Sequence, residues 1–117
     1  MIQILGIKNC NTMKKTFTWL EENKFEYDFR DVKKDPLSKE ELDSLSTRVG
    51  LDVLINKKGM KWRTLGLSKM NLRDDQLFEK LLEHQTMIKR PVVIAGDAVM
   101  VGFDETALND FLKENEP

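Results

Sequence analysis

A single cysteine, Cys10, and a single histidine, His84, stand in a chain of 117 residues. No internal disulfide can form, and soft ligands are too few for a structural zinc site, so no metal is expected and a reducing compartment suits the chain. Net charge is equally scant: 19 Lys and Arg against 20 Asp and Glu leave a formal −1 at pH 7. No global field draws such a chain to nucleic acid or to an anionic membrane, and neither is an expected partner. Long apolar runs are missing too, the longest being Pro91 to Ala95, far short of the ~20 residues that span a bilayer. The stretch Met1-Ile2-Gln3-Ile4-Leu5 has no basic region before it and no small-residue cleavage site after it, so a cytoplasmic location is expected.

The remaining composition is that of a globular chain. Hydrophobic residues make up 40% and charged residues 33%, enough to bury one core, and the length suits one domain over residues 1–117. Met1 to Leu5, closed by Gly6, predicts a strand and a tight loop. Met13, Phe17 and Leu20 then recur at helical spacing, predicting an amphipathic helix from Asn11 to about Asn23. Phe25, Tyr27 and Phe29 alternate with Glu26, Asp28 and Arg30, predicting a second strand. Ser38 and Glu41 have the spacing of a capping box for a helix through about Arg48, ended by Gly50.

The middle of the chain reads as helical but interrupted. Leu51, Leu54 and Ile55 form a short stripe, Lys57-Lys58-Gly59 breaks it, and Trp62 to Gly66 reads as turn-rich. Asp74 and Asp75 open a helix carrying Leu77, Phe78, Leu81 and Leu82 that ends near Gln85. Gly96-Asp97 between Pro91–Ala95 and Ala98–Val101 predicts a hairpin, and Asp104 caps a last helix. The tail from Lys113 to Pro117 is expected to fray. The order β-α-β, helical middle, β-β-α predicts an α/β fold: one mixed four-stranded sheet covered by helices, a thioredoxin-like arrangement with a helical insertion.

Chemistry concentrates at Cys10. A cysteine between a strand end and a helix start meets unpaired backbone N–H groups and the positive end of the helix dipole, both of which favour the thiolate. Lys8, Lys14 and Lys15 are expected to add to that field. Such surroundings lower a thiol from about 8.5 toward 3.5–7.5, making a nucleophile at neutral pH. The flanks, Lys8-Asn9 and Asn11-Thr12, are polar, unlike those of a buried structural cysteine.

Alternatives fall on spacing. Met13 stands where a Cys-x-x-Cys pair would place its second thiol, and Thr16 stands where Cys-x5-Arg phosphatases carry arginine. Gly6 to Cys10 lacks the glycines and the Lys-Ser/Thr pair of a phosphate-binding loop. His84, between Glu83 and Gln85, reads as a helix-end residue. Trp19 and Trp62 read as packing, Lys33-Lys34 and Lys57-Lys58 as solvated faces, and Asp74-Asp75 and Glu21-Glu22 as surface carboxylates with no acid–base role.

The segments Gly6-Ile7-Lys8-Asn9-Cys10-Asn11-Thr12, Trp19-Leu20-Glu21, Leu54-Ile55-Asn56, Trp62-Arg63 and Lys89-Arg90-Pro91-Val92-Val93 resemble the arsenate-reductase-like (ArsC) family, in its Spx/MgsR or YffB-like branch. The resemblance spans essentially the whole chain. It implies a thioredoxin-like fold, a nucleophilic Cys10, and an arginine before a proline, Arg90-Pro91, facing it; a thioredoxin-like site would take Pro91 cis, an isomer the sequence itself leaves open. Arsenate reductases of the family hold their oxyanion with three arginines. Here Asn56 replaces one and Val101-Gly102-Phe103 lacks another, which leaves only weak arsenate reduction to expect. Spx-type regulators that bind RNA polymerase usually carry Cys-x-x-Cys, absent here.

The implied function is therefore a glutathione-dependent thiol reductase with one nucleophilic cysteine and no bound cofactor. Glutathione is the co-substrate, and a protein disulfide or glutathionylated protein is the candidate partner. Lys8 and Arg90 would meet its carboxylates, Asn11, Thr12 and Pro91 would line the site, and the backbone near Thr12 would hold the thiolate. The alternatives are an Spx-like non-catalytic regulator that binds RNA polymerase or another protein, and an arsenate reductase of weak activity.

Overall fold

Alternation sorts the side chains of the first strand onto two faces, because successive residues of a strand point to opposite sides. In the computed structural model, whose described residues are 1–115, Ile2 and Ile4 of β1 (Ile2–Gly6) enter one core and Leu5 enters another. β3 (Val92–Ala95) divides likewise, Val93 and Ala95 to the first core and Val92 to the second. With β2 (Tyr27–Asp31) and β4 (Ala98–Val101) the sheet has the order β2-β1-β3-β4. β1 runs parallel to β2 and antiparallel to β3, which pairs antiparallel with β4.

The helices cover both faces. α1 (Asn11–Glu22) and α6 (Glu105–Asn115) bury Met13, Leu20, Leu108 and Leu112 on the first face. On the second lie α2 (Lys39–Val49), α3 (Leu51–Leu54), α4 (Met60–Thr64) and α5 (Asp74–Glu83), which contribute Leu42, Leu45, Leu54, Trp62 and Leu81. Full burial stabilises each such Leu by roughly 1.5–3 kcal/mol, so each sheet face is held by its own apolar layer. This is the mixed α/β, thioredoxin-like sheet with a helical insertion that the element order predicts. Among the described residues no helix is long and apolar enough to cross a membrane.

Several boundaries differ from expectation for local reasons. Phe25 is no strand residue. Lys24 turns into the left-handed region at φ 61°, the Phe25 N–H donates to the Leu20 carbonyl at 2.9 Å, and the Phe25 ring stacks on Trp19 at 5.8 Å. Phe25 thus closes the end of α1, and β2 starts two residues later. Of Trp62 to Gly66, expected as turn-rich, residues 62–64 belong instead to the short helix α4, whose Trp62 is buried. α5 stops at Glu83, and Gln85–Met87 winds as a 3-10 turn. The expected fraying begins too early, since Lys113, Glu114 and Asn115 continue α6, while residues 116 and 117 lie outside the described residues. The caps form as predicted: Ser38 and Glu41 exchange both bonds of the box, and Asp104 accepts from the Ala107 N–H at 2.8 Å.

Candidate active site

Close packing of β1 against α1 brings the first loop to the sheet's carboxyl edge. A Cβ at Gly6 would lie 2.5 Å from the Met13 sulfur and 2.7 Å from its methyl, so a larger residue here must displace the buried tip of Met13. After Ile7-Lys8-Asn9 the chain reaches Cys10, which occupies the N-cap of α1 in extended conformation, φ −145° and ψ 130°. That position normally holds Ser, Thr, Asp or Asn, whose side-chain oxygen accepts from the second or third helical N–H. Cys10 makes no formed cap bond as a thiol, so these amides remain for an ionised sulfur.

Four influences act on the half-buried sulfur. Burial, the largest, pushes the thiol up, but the N–H groups of Met13 and Thr12 and the charge and hydrogen bonding of Arg90 outweigh it. The net result is a thiol below its ordinary value. The lysines play no such part: Lys8, Lys14 and Lys15 are exposed, and Arg90 is the cation that acts on Cys10. Asn11, the first residue of α1, is exposed, and Thr12 is half-buried with its carbonyl accepting from the Thr16 hydroxyl at 2.8 Å.

Arg90 is set from below. Its guanidinium donates to the Thr86 carbonyl at 3.1 Å. Thr86 belongs to the 3-10 turn, and that turn is pinned by buried Gln85, which accepts from the Leu37 N–H at 2.7 Å and donates to the Leu37 carbonyl at 2.8 Å. The Arg90–Pro91 peptide is cis, Pro91 is buried, and its carbonyl accepts from the Gly102 N–H at 2.8 Å. Gly102 has φ 95°, a left-handed conformation that favours glycine.

On the other side of Arg90 a cleft of about 420 Å³ opens between α4 and the 3-10 turn. Asn56, Met60, Lys61, Trp62, Met87 and Arg90 line it. Its two walls are tied together by backbone bonds from the Asn56 N–H to the Met87 carbonyl and from the Lys89 N–H to the Leu54 carbonyl, 2.8 and 2.6 Å. Asn56, at a position where arginine would be expected of an arsenate site, folds its carbonyl oxygen back to the Lys58 N–H at 3.1 Å. Met60 and Trp62 line this cleft and Gln85 pins its turn, and none of the three is assigned to the candidate site from the sequence. Trp62 reads as packing in any helical stripe, and a lone Gln carries no signal of its partner 48 positions away. His84, excluded on sequence, lies at the end of α5 beside Glu83 at 3.8 Å.

Comparison with known proteins places this arrangement. A family model described as the ArsC family matches residues 5–111. Among solved structures, the YffB (PA3664) protein superposes with a TM-score of 0.87 at 36% identity, over 94% of this chain and 97% of that one. An arsenate reductase (ArsC) related protein from Brucella melitensis gives 0.78 at 36%, over 96% and 94%. The global transcriptional regulator Spx of Listeria monocytogenes is 27% identical over 114 residues, 96% of this chain and 87% of that protein. Arsenate reductases and transcriptional regulators thus share one thiol-redox fold with this protein, and the match runs from the first strand into the last helix. The chain belongs to the ArsC family.

Proposed function

We propose that the protein is a glutathione-dependent thiol reductase working through Cys10 alone. The observation that carries this reading is a thiol at the N-cap of α1, lowered by two backbone amides and Arg90, with Met13 where a second thiol would stand. A sole cysteine can form a mixed disulfide but cannot resolve it, so an external thiol must finish the reaction.

The cycle balances with glutathione as that thiol. The Cys10 thiolate attacks the glutathione sulfur of a glutathionylated substrate, the Cys10–glutathione S–S bond forms, the old S–S bond breaks, and the substrate leaves as a thiolate that takes a proton from water. A second glutathione thiolate then attacks the adduct, and glutathione disulfide leaves with Cys10 restored as thiolate. The substrate gains two electrons, and two glutathione sulfurs become one disulfide. Arg90 holds an anionic group of the glutathione moiety, with Lys8 as a second, exposed cation, and the Thr12 and Met13 amides hold the sulfur charge whenever Cys10 is the leaving group. A reducing, cytoplasmic setting suits this chemistry.

Arsenate reduction fits less well. Arg90 is one cation, and Asn56 contributes no charge where a second would be needed. The likeness to Spx supports a second reading, a regulator that binds a protein partner, which would not require thiol exchange. The test is turnover of a glutathionylated peptide by excess glutathione, with glutathione disulfide followed by a coupled reductase. Turnover that disappears in Cys10→Ser is expected, and a wild-type rate equal to the uncatalysed exchange would refute the proposal.

A further inference from the structure

The insertion carries a charge imbalance that the overall composition conceals. Six of the chain's 19 Lys and Arg fall between Val53 and Arg73, where none of its 20 Asp and Glu lies. Lys57 spends its charge on Asp52 at 3.1 Å and Arg73 on Asp75 at 3.1 Å, but among the described residues neither Lys61 nor Arg90 has a carboxylate partner. Both line the cleft, and Arg90 is also the cation that acts on Cys10. The same segment holds three of the four large apolar side chains left exposed, and one of them, Met60 at 75% exposure, stands at the cleft.

The floor differs from the rim. Trp62 and Met87 are buried and offer apolar surface, and Asn56 and Thr86 add polar groups at the edges. At about 420 Å³ the space exceeds what a lone carboxylate or phosphate fills, and is enough for one or two amino-acid side chains. An apolar floor under Lys61, with Arg90 at the edge toward Cys10 left for the glutathione moiety, complements a segment that pairs an apolar residue with an acidic one. Arg90 borders both this cleft and Cys10, so a chain seated here brings the mixed disulfide on its neighbouring cysteine to the thiolate, with the glutathione sulfur as the atom attacked.

We propose that this cleft holds the polypeptide arm of the substrate, a protein segment in which the disulfide-bearing cysteine is flanked by an apolar residue and by Asp or Glu. The proposal rests on the reductase reading and names its substrate class: an acidic, apolar-flanked protein cysteine rather than a small disulfide.

Binding can be read without any thiol exchange. Trp19→Phe leaves Trp62 as the only tryptophan, so its emission reports on the cleft. The probes are two heptapeptides with a central S-methylcysteine beside Leu, one flanked by Glu and Asp and the other by Lys. The acidic peptide should shift Trp62 emission and bind at least tenfold tighter than the basic one, with the difference shrinking as salt rises. Lys61→Glu should abolish or reverse the preference. Equal affinity for the two peptides, or no Trp62 response to either, would overturn the assignment. Acidic-peptide binding in a protein that fails the glutathione turnover assay would keep the cleft's specificity and refute only the reductase reading. Turnover with no peptide preference would do the reverse.

Discussion

Arg90→Ala separates the two sources of Cys10 activation, because it removes the cation and leaves the Thr12 and Met13 amides in place. For unit charges about 4 Å apart the attraction is roughly 1 kcal/mol in water and 4 kcal/mol at an effective dielectric of about 20. A hydrogen bond to a charged group contributes about 1.5–3 kcal/mol. Cys10 and Arg90 are both only half-buried, so solvent screening selects the low end, about 1.5 kcal/mol. The thiolate is the charged form and the arginine favours it, so its loss raises the thiol. The pH midpoint of iodoacetamide alkylation should move up in Arg90→Ala, and by less in Arg90→Lys, which keeps the charge but not the planar donor pair. A folded Arg90→Ala protein with an unshifted midpoint would show that the helix amides act alone and would remove Arg90 from the site.

Other elements make independent predictions. Gly6→Ala should lower stability by about 1–2 kcal/mol, read as a Tm several degrees lower, because the new methyl meets the buried Met13 side chain. Gln85→Leu strands the buried Leu37 N–H and should cost about 2–3 kcal/mol in urea unfolding, and it should also raise the Cys10 alkylation midpoint by loosening the turn that aims Arg90. Glu41 is held at about 2 by its hydrogen bonds to Arg30 and by the Ser38 N–H. A depressed carboxyl stabilises the fold above its unfolded value of about 4.3 and loses that contribution as pH falls through the folded value, so Glu41→Gln should flatten acid unfolding between about pH 4.3 and 2. With Glu41 46% exposed, the effect should be on the order of 1 kcal/mol.

Elements that announce themselves locally were legible in the sequence. The capping box at Ser38, the Gly96-Asp97 hairpin and the alternation in β2 each depend on neighbours within a few residues, and each forms. The site was legible in Cys10 and in Arg90-Pro91, the first from strand–loop–helix spacing and the second from the family resemblance. What escaped depends on distant partners. The cleft arises where α4 meets the 3-10 turn, and α4 is too short to show a period. Phe25 alternates with Tyr27 in sequence, yet the left-handed turn at Lys24 commits it to Trp19. Lys8, Lys14 and Lys15 sit near Cys10 in sequence, while the acting cation comes from 80 positions further along.

The central claim is that one thiol, Cys10, carries glutathione through the reaction. Intact mass spectrometry of protein quenched with acid during turnover of a glutathionylated peptide tests it directly. A single glutathione adduct on Cys10 is expected to build up when glutathione is limiting and to disappear when it is added in excess, with no adduct in Cys10→Ser. Sustained turnover with Cys10 never modified, or a dominant disulfide-linked dimer in place of the adduct, would contradict it.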